Sequence, residues 1–346
     1  MNKVVRLQVA LPDRTYPVVV GHGAISQLTS LLPKTARRVA VVTQDGLPIV
    51  LELDRPSRYF TVGHGEHVKS LATIEQLCDG FADFGLTRGD VVLGIGGGMV
   101  TDIAGFAAAS WHRGVPVVHV ATSLLGMVDA AIGGKTGVNI KAGKNLVGTF
   151  WQPSAVICDL DSLATLPERE VRCGLGEMAK YHFLTGDDLL AMDQTDRIAR
   201  CIQIKADVVA SDEREDVSNT KGRAVLNYGH TLAHALERAT DHSLAHGEAV
   251  AIGLIYAAHL AYLCGRISTD RVDDHYRVIG QEYGLDTRLP SGLDADVLID
   301  LMKRDKKVVD SGLTFVLDGA DGVEVVNHVS QDLVRQAITT MADLGN

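Results

Sequence analysis

The stretch Asp90-Val-Val-Leu-Gly-Ile-Gly-Gly-Gly-Met-Val-Thr-Asp102 joins an apolar run to a glycine-rich turn and the start of a helical pattern. A short Val-rich run before turn glycines is typical of a strand covered on both faces of a parallel sheet. Such glycines let the backbone approach a diphosphate, whose charge is met by amide N–H groups and the helix dipole. Met99 stands where the usual dinucleotide fingerprint has its third glycine. The motif therefore leaves two readings open, a nucleotide-binding loop and a tight strand–helix turn.

Strand and helix patterns alternate on both sides of this stretch, which predicts an α/β layer. After about Asp161 the character changes, because Pro167 followed by Glu168 is a helix-start signal and long helical patterns then run to about Cys264. We expect a Rossmann-like parallel sheet in an α/β domain, residues 1–158, and a mostly α-helical domain, residues 159–346. The predicted strands are 18–20, 38–42, 91–95, 115–120 and 155–158, and the predicted helices include 70–84 and 101–110.

Composition excludes several classes of protein. The 346 residues carry 43 acidic and 33 basic side chains, a net charge of −10, which argues against a nucleic-acid-binding surface. The five cysteines are scattered without a C-x-x-C pair, so we expect a reducing cytoplasm and no disulfide framework. The N-terminus lacks the apolar core of a signal peptide, and the most apolar helical stretch, 249–264, is too short for a bilayer. We therefore expect no membrane partner.

The segment from Asp129 to Phe150 is rich in glycine and lysine. Gly133-Gly134-Lys135-Thr136 resembles part of a P-loop, but the glycine that this motif needs five positions earlier is Asp129. We expect a weakly periodic loop. Its polar cluster, next to the nucleotide loop, favours binding of a phosphate or a carboxylate, although lysines in such loops are usually only solvated. The cluster comprises Asp129, Lys135, Lys141, Lys144 and Asn145.

A second polar cluster lies in Arg223-Ala-Val-Leu-Asn-Tyr-Gly-His-Thr-Leu-Ala-His234. On one continuous helix, Arg223, Asn227, His230 and His234 would share a narrow stripe. These residue types bind anions, accept protons and ligate metals, whereas an ordinary exposed face would carry Lys and Glu. The alternative is a buried polar seam.

Further candidate metal ligands lie in two other helical patterns. His246 follows the stripe, and Glu177 offers a carboxylate with Lys180 one turn on. Two imidazoles and a carboxylate with an open fourth position make a catalytic zinc set. The spacing differs from H-E-x-x-H, so the pattern does not select among His230, His234 and His246.

Taken together, motifs along nearly the whole chain resemble the 3-dehydroquinate synthase family of the sugar phosphate cyclase superfamily. The matching stretches are Gly96–Asp102, Met127–Thr136, Gly143–Asn145, Leu166–Glu170, Gly176–Lys180, Asp212–Glu215, Leu226–His234, His246–Val250 and Asp305–Lys307. The resemblance implies that domain 1–158 binds NAD and that domain 159–346 binds metal and substrate. The divalent metal (zinc or cobalt) would be held by Glu177, His230 and His246. It implies NAD bound by Glu66, Lys69, Gly97, Gly98, Met99, Val100, Thr101, Asp102, Thr122, Ser123, Lys135, Lys144, Ser162, Leu163, Ala164 and Thr165.

The resemblance also implies the substrate and the reaction. A seven-carbon keto-acid phosphate, 3-deoxy-D-arabino-heptulosonate 7-phosphate, would be oxidised transiently by NAD, lose phosphate, be reduced again and close a ring by an intramolecular aldol. The product would be 3-dehydroquinate, an intermediate of the shikimate pathway. Substrate contacts would come from Asp129, Lys135, Asn145, Lys180, Lys205, Arg223, Asn227, His234 and one of Lys306 and Lys307, with Arg113 reaching across a homodimer interface.

Two loop-scale departures keep alternatives open. The segment from Val42 to Glu66 is shorter than usual in the family, and the segment between Asp212 and Arg223 is longer. They leave room for an aminodehydroquinate synthase or another sugar phosphate cyclase of secondary metabolism. A metal-dependent alcohol or glycerol dehydrogenase is a more remote alternative, which would accumulate NADH. A non-catalytic NAD-binding protein is disfavoured because the expected metal ligands are complete.

Overall fold

The computed structural model describes residues 3–47, 49, 51–216, 219–305 and 313–344. The chain divides into two compact units. Unit 1 comprises Met1–Pro167 with Asp193–Ala210, and unit 2 comprises Glu168–Met192 with Ser211–Asn346. Unit 1 thus includes a helix that follows the expected boundary at residue 158. The assignment of an NAD-binding and a metal-binding function to domains 1–158 and 159–346 stays a prediction.

The elements follow the order expected for an α/β layer and then a helical array. The α-helices are α1 (Leu28–Leu31), α2 (Leu71–Phe84), α3 (Gly98–Ser110), α4 (Glu168–Thr185), α5 (Gln194–Ser211), α6 (His230–Ala239), α7 (His246–Leu263), α8 (Thr269–Tyr276), α9 (Ala295–Asp305) and α10 (Gln331–Leu344). The strands are β1 (Val4–Ala10), β2 (Thr15–Gly21), β3 (Val39–Gln44), β4 (Ser57–Val62), β5 (Val91–Gly96), β6 (Val117–Ala121), β7 (Lys135–Ile140), β8 (Gly143–Phe150), β9 (Ala155–Asp159), β10 (Leu313–Leu317) and β11 (Glu324–Val329). The predicted fold class is confirmed.

Unit 1 is built on a seven-stranded sheet with the spatial order β1-β2-β9-β6-β5-β3-β4. Only the β1–β2 pair is antiparallel; the five other neighbouring pairs are parallel. Two buried clusters cover its faces, one including Phe81 of α2 and Ile103 of α3, the other including Leu28 of α1. The central strands are Val-rich and almost fully buried because both faces lie against apolar side chains.

The prediction of a loop over 129–150 is wrong for most of that segment. Strands β7 and β8 pair as an antiparallel hairpin, preceded by a short π-helix, Gly126–Ala130. The glycines that suggested a loop are needed for close strand approach. A Cβ on Gly148 would lie 2.0 Å from the carbonyl oxygen of Thr136, and one on Gly137 would lie 2.8 Å from that of Val147.

Unit 2 is mostly helical, with the hairpin β10–β11 as its described sheet. Helix α7 lies at its centre, because every residue from Gly247 to Ala261 except Glu248 is buried, so that the helix is covered on all faces. Helix α4 begins at Glu168, directly after Pro167, as the sequence predicts. In the described part of the chain, none of the helices combines the length and apolar character that a bilayer crossing requires.

Candidate active site

Three candidate ligand atoms converge in unit 2. Glu177 lies in the middle of α4, while His230 and His246 are the first residues of α6 and α7. The Nε2 atoms of the two imidazoles lie 3.2 and 3.3 Å from Oε1 of Glu177. Ligands held about 2.0–2.1 Å from a tetrahedral zinc ion are separated by about 3.3–3.5 Å. The three residues therefore fit a divalent metal centre.

The buried carboxylate of Glu177 supports the same interpretation. Its side chain is fully buried, and Oε1 has no hydrogen-bond partner with good geometry among the described residues. A buried acceptor left in this state is costly unless another group satisfies it. A metal ion coordinated by Oε1 and the two imidazoles would do so.

Glycines beside each candidate ligand let the helix backbones approach closely. A Cβ on Gly176 would lie 2.1 Å from the carbonyl oxygen of Gly247, and one on Gly247 would lie 1.9 Å from that of Cys173. A Cβ on Gly253 would lie 2.1 Å from the carbonyl oxygen of Gly229. Since Glu177, His246 and His230 are the adjoining residues, these contacts set the distances among the three candidate ligands.

Lys180 places a second charge against the cluster. Its ammonium group donates to Oε2 of Glu177, and both side chains are almost fully buried, as the spacing on one helix face predicts. Burial alone would raise the pKa of Glu177, but Lys180 and His230 hold it well below its usual range. The carboxylate is therefore ionised, which is the state that binds a cation.

The two imidazoles differ in their preference for a proton. Burial lowers the pKa of His230. Burial would also lower the pKa of His246, but the carboxylates of Glu177 and Glu237 raise it to about 10. Without a metal the cluster thus holds a proton at His246, and metal binding has to displace it.

The prediction of one continuous helix over 223–234 is wrong. A 3₁₀ helix spans Arg223–Asn227, and Gly229 then adopts a left-handed conformation (φ 80°) before α6 begins. Glycine adopts the left-handed conformation at little cost, and this conformation ends the preceding helical turn. His230 and His234 still share a face of α6, with ring centroids 5.6 Å apart, and the ring of His234 lies 6.2 Å from that of His246.

Arg223 and Asn227 are held by the segment that precedes them. The buried Arg223 donates through its backbone N–H to Asp212 Oδ2 and through Nη1 to the carbonyl oxygen of Glu213, both at 2.9 Å. The side-chain amide of Asn227 donates to Glu215 Oε1 at 3.1 Å. Residue-by-residue reasoning missed Glu215 as part of this cluster. The signal in the sequence is the Asp212–Glu215 motif, which is one of the stretches that match the family.

Apart from Lys135 and Lys144, the residues expected to bind NAD lie at one edge of the seven-stranded sheet in unit 1. Glu66 and Lys69 follow β4, Gly97 begins the turn after β5, Thr122 follows β6, and 162–165 lie in the 3₁₀ helix that follows β9. Because these strands are parallel, their carboxyl ends meet at the same edge. From β3 the next strand, β4, is added on one side, whereas from β5 the next strand, β6, is added on the other side. Nucleotides in doubly wound sheets bind at such a switch point.

The glycines of the β5–α3 turn have a packing role as well. A Cβ on Gly96 would lie 2.5 Å from Val100, and one on Gly98 would lie 2.9 Å from the Cβ of Ala130. A tight strand–helix turn therefore accounts for these two positions by itself. The case for a nucleotide rests on the strand edge and on the polar groups gathered there.

One such group is a network around Lys69. Its buried ammonium donates to Asp102 Oδ2 and to the side-chain oxygen of Asn145, which adopts φ 55°. Asn139 links the same parts, since it donates to Glu66 Oε1 at 2.8 Å and accepts from the Asn145 backbone at 2.9 Å. Burial raises the pKa of Asp102 to about 6 despite Lys69. Asn145 is thus placed with expected NAD-binding residues, and its expected substrate contact stays a prediction.

The remaining expected site residues lie elsewhere. Lys205 of α5 donates to Oδ1 and to the carbonyl oxygen of Asp129, each at 2.6 Å, so a buried lysine and a partly exposed carboxylate form an ion pair within unit 1. Lys135 is the first residue of β7 and Lys144 the second residue of β8, while Arg113 ends an exposed 3₁₀ turn with φ 64°. Lys306 and Lys307 fall outside the described residues.

Comparison with family profiles gives two adjacent matches. Residues 59–173 match the profile described as 3-dehydroquinate synthase N-terminal, and residues 174–308 match 3-dehydroquinate synthase C-terminal. Among curated proteins, the chain is 48% identical over 97% of its length to a putative aminodehydroquinate synthase of Amycolatopsis mediterranei, covering 94% of that protein. It is 42% identical over 92% of its length to a 3-dehydroquinate synthase of Saccharopolyspora erythraea, covering 90% of it.

Solved structures give the same grouping. A 2-deoxy-scyllo-inosose synthase crystallised with carbaglucose-6-phosphate, NAD⁺ and Co²⁺ superposes with a TM-score of 0.86 at 25% identity, covering 97% of this chain and 100% of that one. A 2-epi-5-epi-valiolone synthase from Streptomyces hygroscopicus, with NAD⁺ and Zn²⁺ bound, gives 0.82 at 25%, covering 97% and 99%. A probable glycerol dehydrogenase from Sinorhizobium meliloti gives 0.59 at 17%, covering 94% and 95%, a likeness of fold alone.

Proposed function

Because this chain belongs to the 3-dehydroquinate synthase family, we propose that it is a 3-dehydroquinate synthase that uses NAD and a divalent metal. The observation that carries the proposal is the convergence of Glu177, His230 and His246, with three donor atoms drawn from three helices. The substrate would be 3-deoxy-D-arabino-heptulosonate 7-phosphate, and the products 3-dehydroquinate and phosphate.

Two bound groups would supply chemistry that side chains lack. The metal would polarise a carbinol hydroxyl, and NAD would take up and return the hydride, so that the net reaction is redox-neutral. The proposed metal ligands are Glu177, His230 and His246. The proposed NAD-binding residues are those at the carboxyl edge of the sheet, from Glu66 to Thr165, together with Lys135 and Lys144.

The cationic residues would bind the two anionic ends of the substrate. Lys180 and Arg223 are buried cations of unit 2, and Lys205 is a buried cation of unit 1. Guanidinium and ammonium groups are the usual partners of phosphate and carboxylate, and their hydrogen bonds to such anions are strong. Asn227 would donate or accept at a substrate hydroxyl beside Arg223. Lys306 and Lys307 remain candidates for the same role.

His234 is the proposed proton-handling residue. It lies on the same face of α6 as His230, one turn further along. An imidazole in this position can hold or release a proton at the oxygen that the metal would polarise. Asp129, with Lys205 as its partner, is a second proposed substrate contact.

Direct assay tests the proposal. The purified chain, supplied with NAD and Co²⁺ or Zn²⁺, should release phosphate from the heptulosonate phosphate and form the carbocycle without net NADH. Lys180→Met should bind metal but lose most of this activity, while Glu170→Gln, an exposed position in the first turn of the same helix, should retain it. Net NADH formation from simple alcohols would instead indicate a dehydrogenase.

An aminodehydroquinate synthase is the second candidate, because the relative at 48% identity carries that description. Both reactions use the same metal, NAD and anion-binding residues. Competition between the heptulosonate phosphate and its 4-amino analogue, compared as kcat/KM, separates them. Sedoheptulose 7-phosphate, which lacks the carboxylate, would be the preferred substrate only of a cyclitol-forming relative.

We also propose that the enzyme is a cytoplasmic homodimer. None of the five cysteines, all of which lie in the described residues, forms a disulfide, which is consistent with a reducing compartment. Arg113, on its exposed turn, would complete the site of the partner subunit. Light scattering would give the mass. Mixing inactive Arg113→Ala and Lys180→Met chains should restore activity, since a mixed dimer has one site with both residues; no recovery would contradict the proposed role of Arg113.

A further inference from the structure

We propose that Glu237 is a positioning residue for the metal centre, which it stabilises by orienting His246. Oε2 of Glu237 lies 3.3 Å from Nδ1 of His246, while Nε2 of the same ring faces Oε1 of Glu177, also at 3.3 Å. If Nδ1 donates its proton to Glu237, the lone pair of Nε2 is directed at the metal position. The inference rests on the proposed function only in requiring a metal at Glu177, His230 and His246.

The two imidazoles are fixed in different ways. Nδ1 of His230 lies 3.1 Å from the carbonyl oxygen of Tyr228, two residues earlier on the same turn. That acceptor belongs to the backbone and is always present. For His246 the Nδ1 partner is a side chain from another helix, because Glu237 lies on α6 and His246 begins α7. Removal of that side chain thus removes the orientation.

The partial exposure of His246 makes this orientation important. The side chain of His246 is 29% exposed, whereas that of His230 is 12% exposed and that of Glu237 is 12% exposed. A more exposed ring has fewer packed neighbours to restrict its rotation. Metal-ligating imidazoles generally donate their second N–H to a carboxylate or a carbonyl, and loss of that acceptor weakens the metal site. His246 is therefore the ligand that depends most on its acceptor.

A competing interpretation gives Glu237 a metal of its own. His234, Glu237 and His246 also offer ligand atoms within 4.8 Å of one another. Both candidate sites would need His246, and two dications sharing one imidazole would repel each other strongly. One metal per chain, with Glu237 beside its ligand, is the arrangement that avoids this repulsion.

Cobalt titration of the metal-free protein tests the inference. Co²⁺ binding is followed by its visible absorption, and bound metal per chain is measured by emission spectrometry. We expect Glu237→Ala to weaken Co²⁺ binding about 10–100-fold. Glu237→Gln, which keeps an acceptor oxygen without the charge, should lose less. The matched control is Asp241→Asn, an exposed charge near the end of α6 whose φ of 48° suits asparagine.

The outcomes are separable from those of the function assay. Unchanged Co²⁺ affinity and absorption in folded Glu237→Ala, or two Co²⁺ ions per chain in the unsubstituted protein, would overturn the inference. If Glu237→Ala does not fold, Glu237→Gln decides: weaker binding than in Asp241→Asn supports the inference, and equal binding overturns it. Because binding is read without turnover, a chain that lacks cyclase activity can still pass this test, and an active one can fail it.

Discussion

The carboxyl edge of the sheet in unit 1 and the histidine–carboxylate cluster in unit 2 are built by different physical means. At the sheet edge, candidate residues follow the ends of parallel strands within a few positions, so the backbone topology places them together. In the cluster, each candidate ligand comes from a different helix, and close backbone contacts at Gly176–Gly247 and Gly229–Gly253 set the distances. The second site therefore depends far more on individual side chains and helix contacts.

The largest expected effect comes from removing one ligand of the cluster. Glu177→Gln replaces the ionised carboxylate and leaves Lys180 without its charge partner. We expect loss of bound metal and, because a metal supplies several kcal/mol of transition-state stabilisation, a fall in kcat of about a thousandfold or more. Emission spectrometry gives the metal content and calorimetry the NAD affinity. Retained metal, or NAD affinity lost together with the metal, would remove the distinction between the two regions.

Helix spacing should be nearly as sensitive as the ligand itself. Gly247→Ala places a Cβ 1.9 Å from a backbone oxygen, so α4 and α7 have to separate. We expect a loss of about 4 kcal/mol in unfolding free energy and a much weaker metal site. Gly280→Ala is the control in unit 2, since its Cβ would lie 3.4 Å from the Cγ2 methyl of Thr287, an ordinary van der Waals contact. Denaturation followed by circular dichroism gives the unfolding free energy of both variants. Equal stabilities would show that the glycine contact does not set the site.

The same contrast explains what the sequence could and could not predict. The apolar run before Gly97 and the Pro167 helix start have local signals, and both elements appear where expected. The pairing of β7 with β8 depends on Gly137 and Gly148 meeting across two strands, which a pattern along one strand does not reveal. Local patterns thus predict elements better than they predict which glycines serve a contact.

The candidate site shows a similar limit. Glu177 and Lys180 share a helix face three residues apart, so their contact could be predicted. The break at Gly229 could not be read from a polar stripe, because the stripe assumes a continuous helix. The contacts of Glu215 with Asn227 and of Glu237 with His246 could not be predicted in this way, because the partners lie 12 and 9 residues apart on different elements. Such pairings arise only from tertiary packing.

A smaller, pH-dependent effect is expected in the core of unit 1. Burial lowers the pKa of His119 to about 4, and Nδ1 has no hydrogen-bond partner among the described residues. Since the unfolded imidazole has a pKa of about 6.5, the stability due to keeping His119 neutral is present above that pH and is lost as pH falls toward 4. The loss should be about 3 kcal/mol between pH 7 and pH 4.

The variant His119→Gln cannot gain this proton, so its unfolding free energy should fall less steeply with acid, though it starts lower at neutral pH. Both tryptophans, Trp111 and Trp151, belong to unit 1, and their fluorescence during urea denaturation reports that unit. His67→Gln, at an exposed position, should follow the unsubstituted protein. Parallel curves for His119→Gln and the unsubstituted protein would show that His119 is not a buried neutral group.

The smallest effect should come from a helix cap in unit 1. The hydroxyl of Ser70 accepts from the backbone N–H of Thr73 at the start of α2, and Ser70 also bridges Asn139 in the hairpin. Ser70→Ala should cost about 1 kcal/mol by tryptophan fluorescence, because one helix N–H loses its acceptor. Metal affinity should not change, since unit 2 holds every candidate ligand. NAD affinity should fall slightly, because Ser70 itself follows Lys69 directly and caps α2. If metal affinity fell and NAD affinity did not, the assignment of nucleotide to the sheet edge and metal to the helical cluster would have to be reversed.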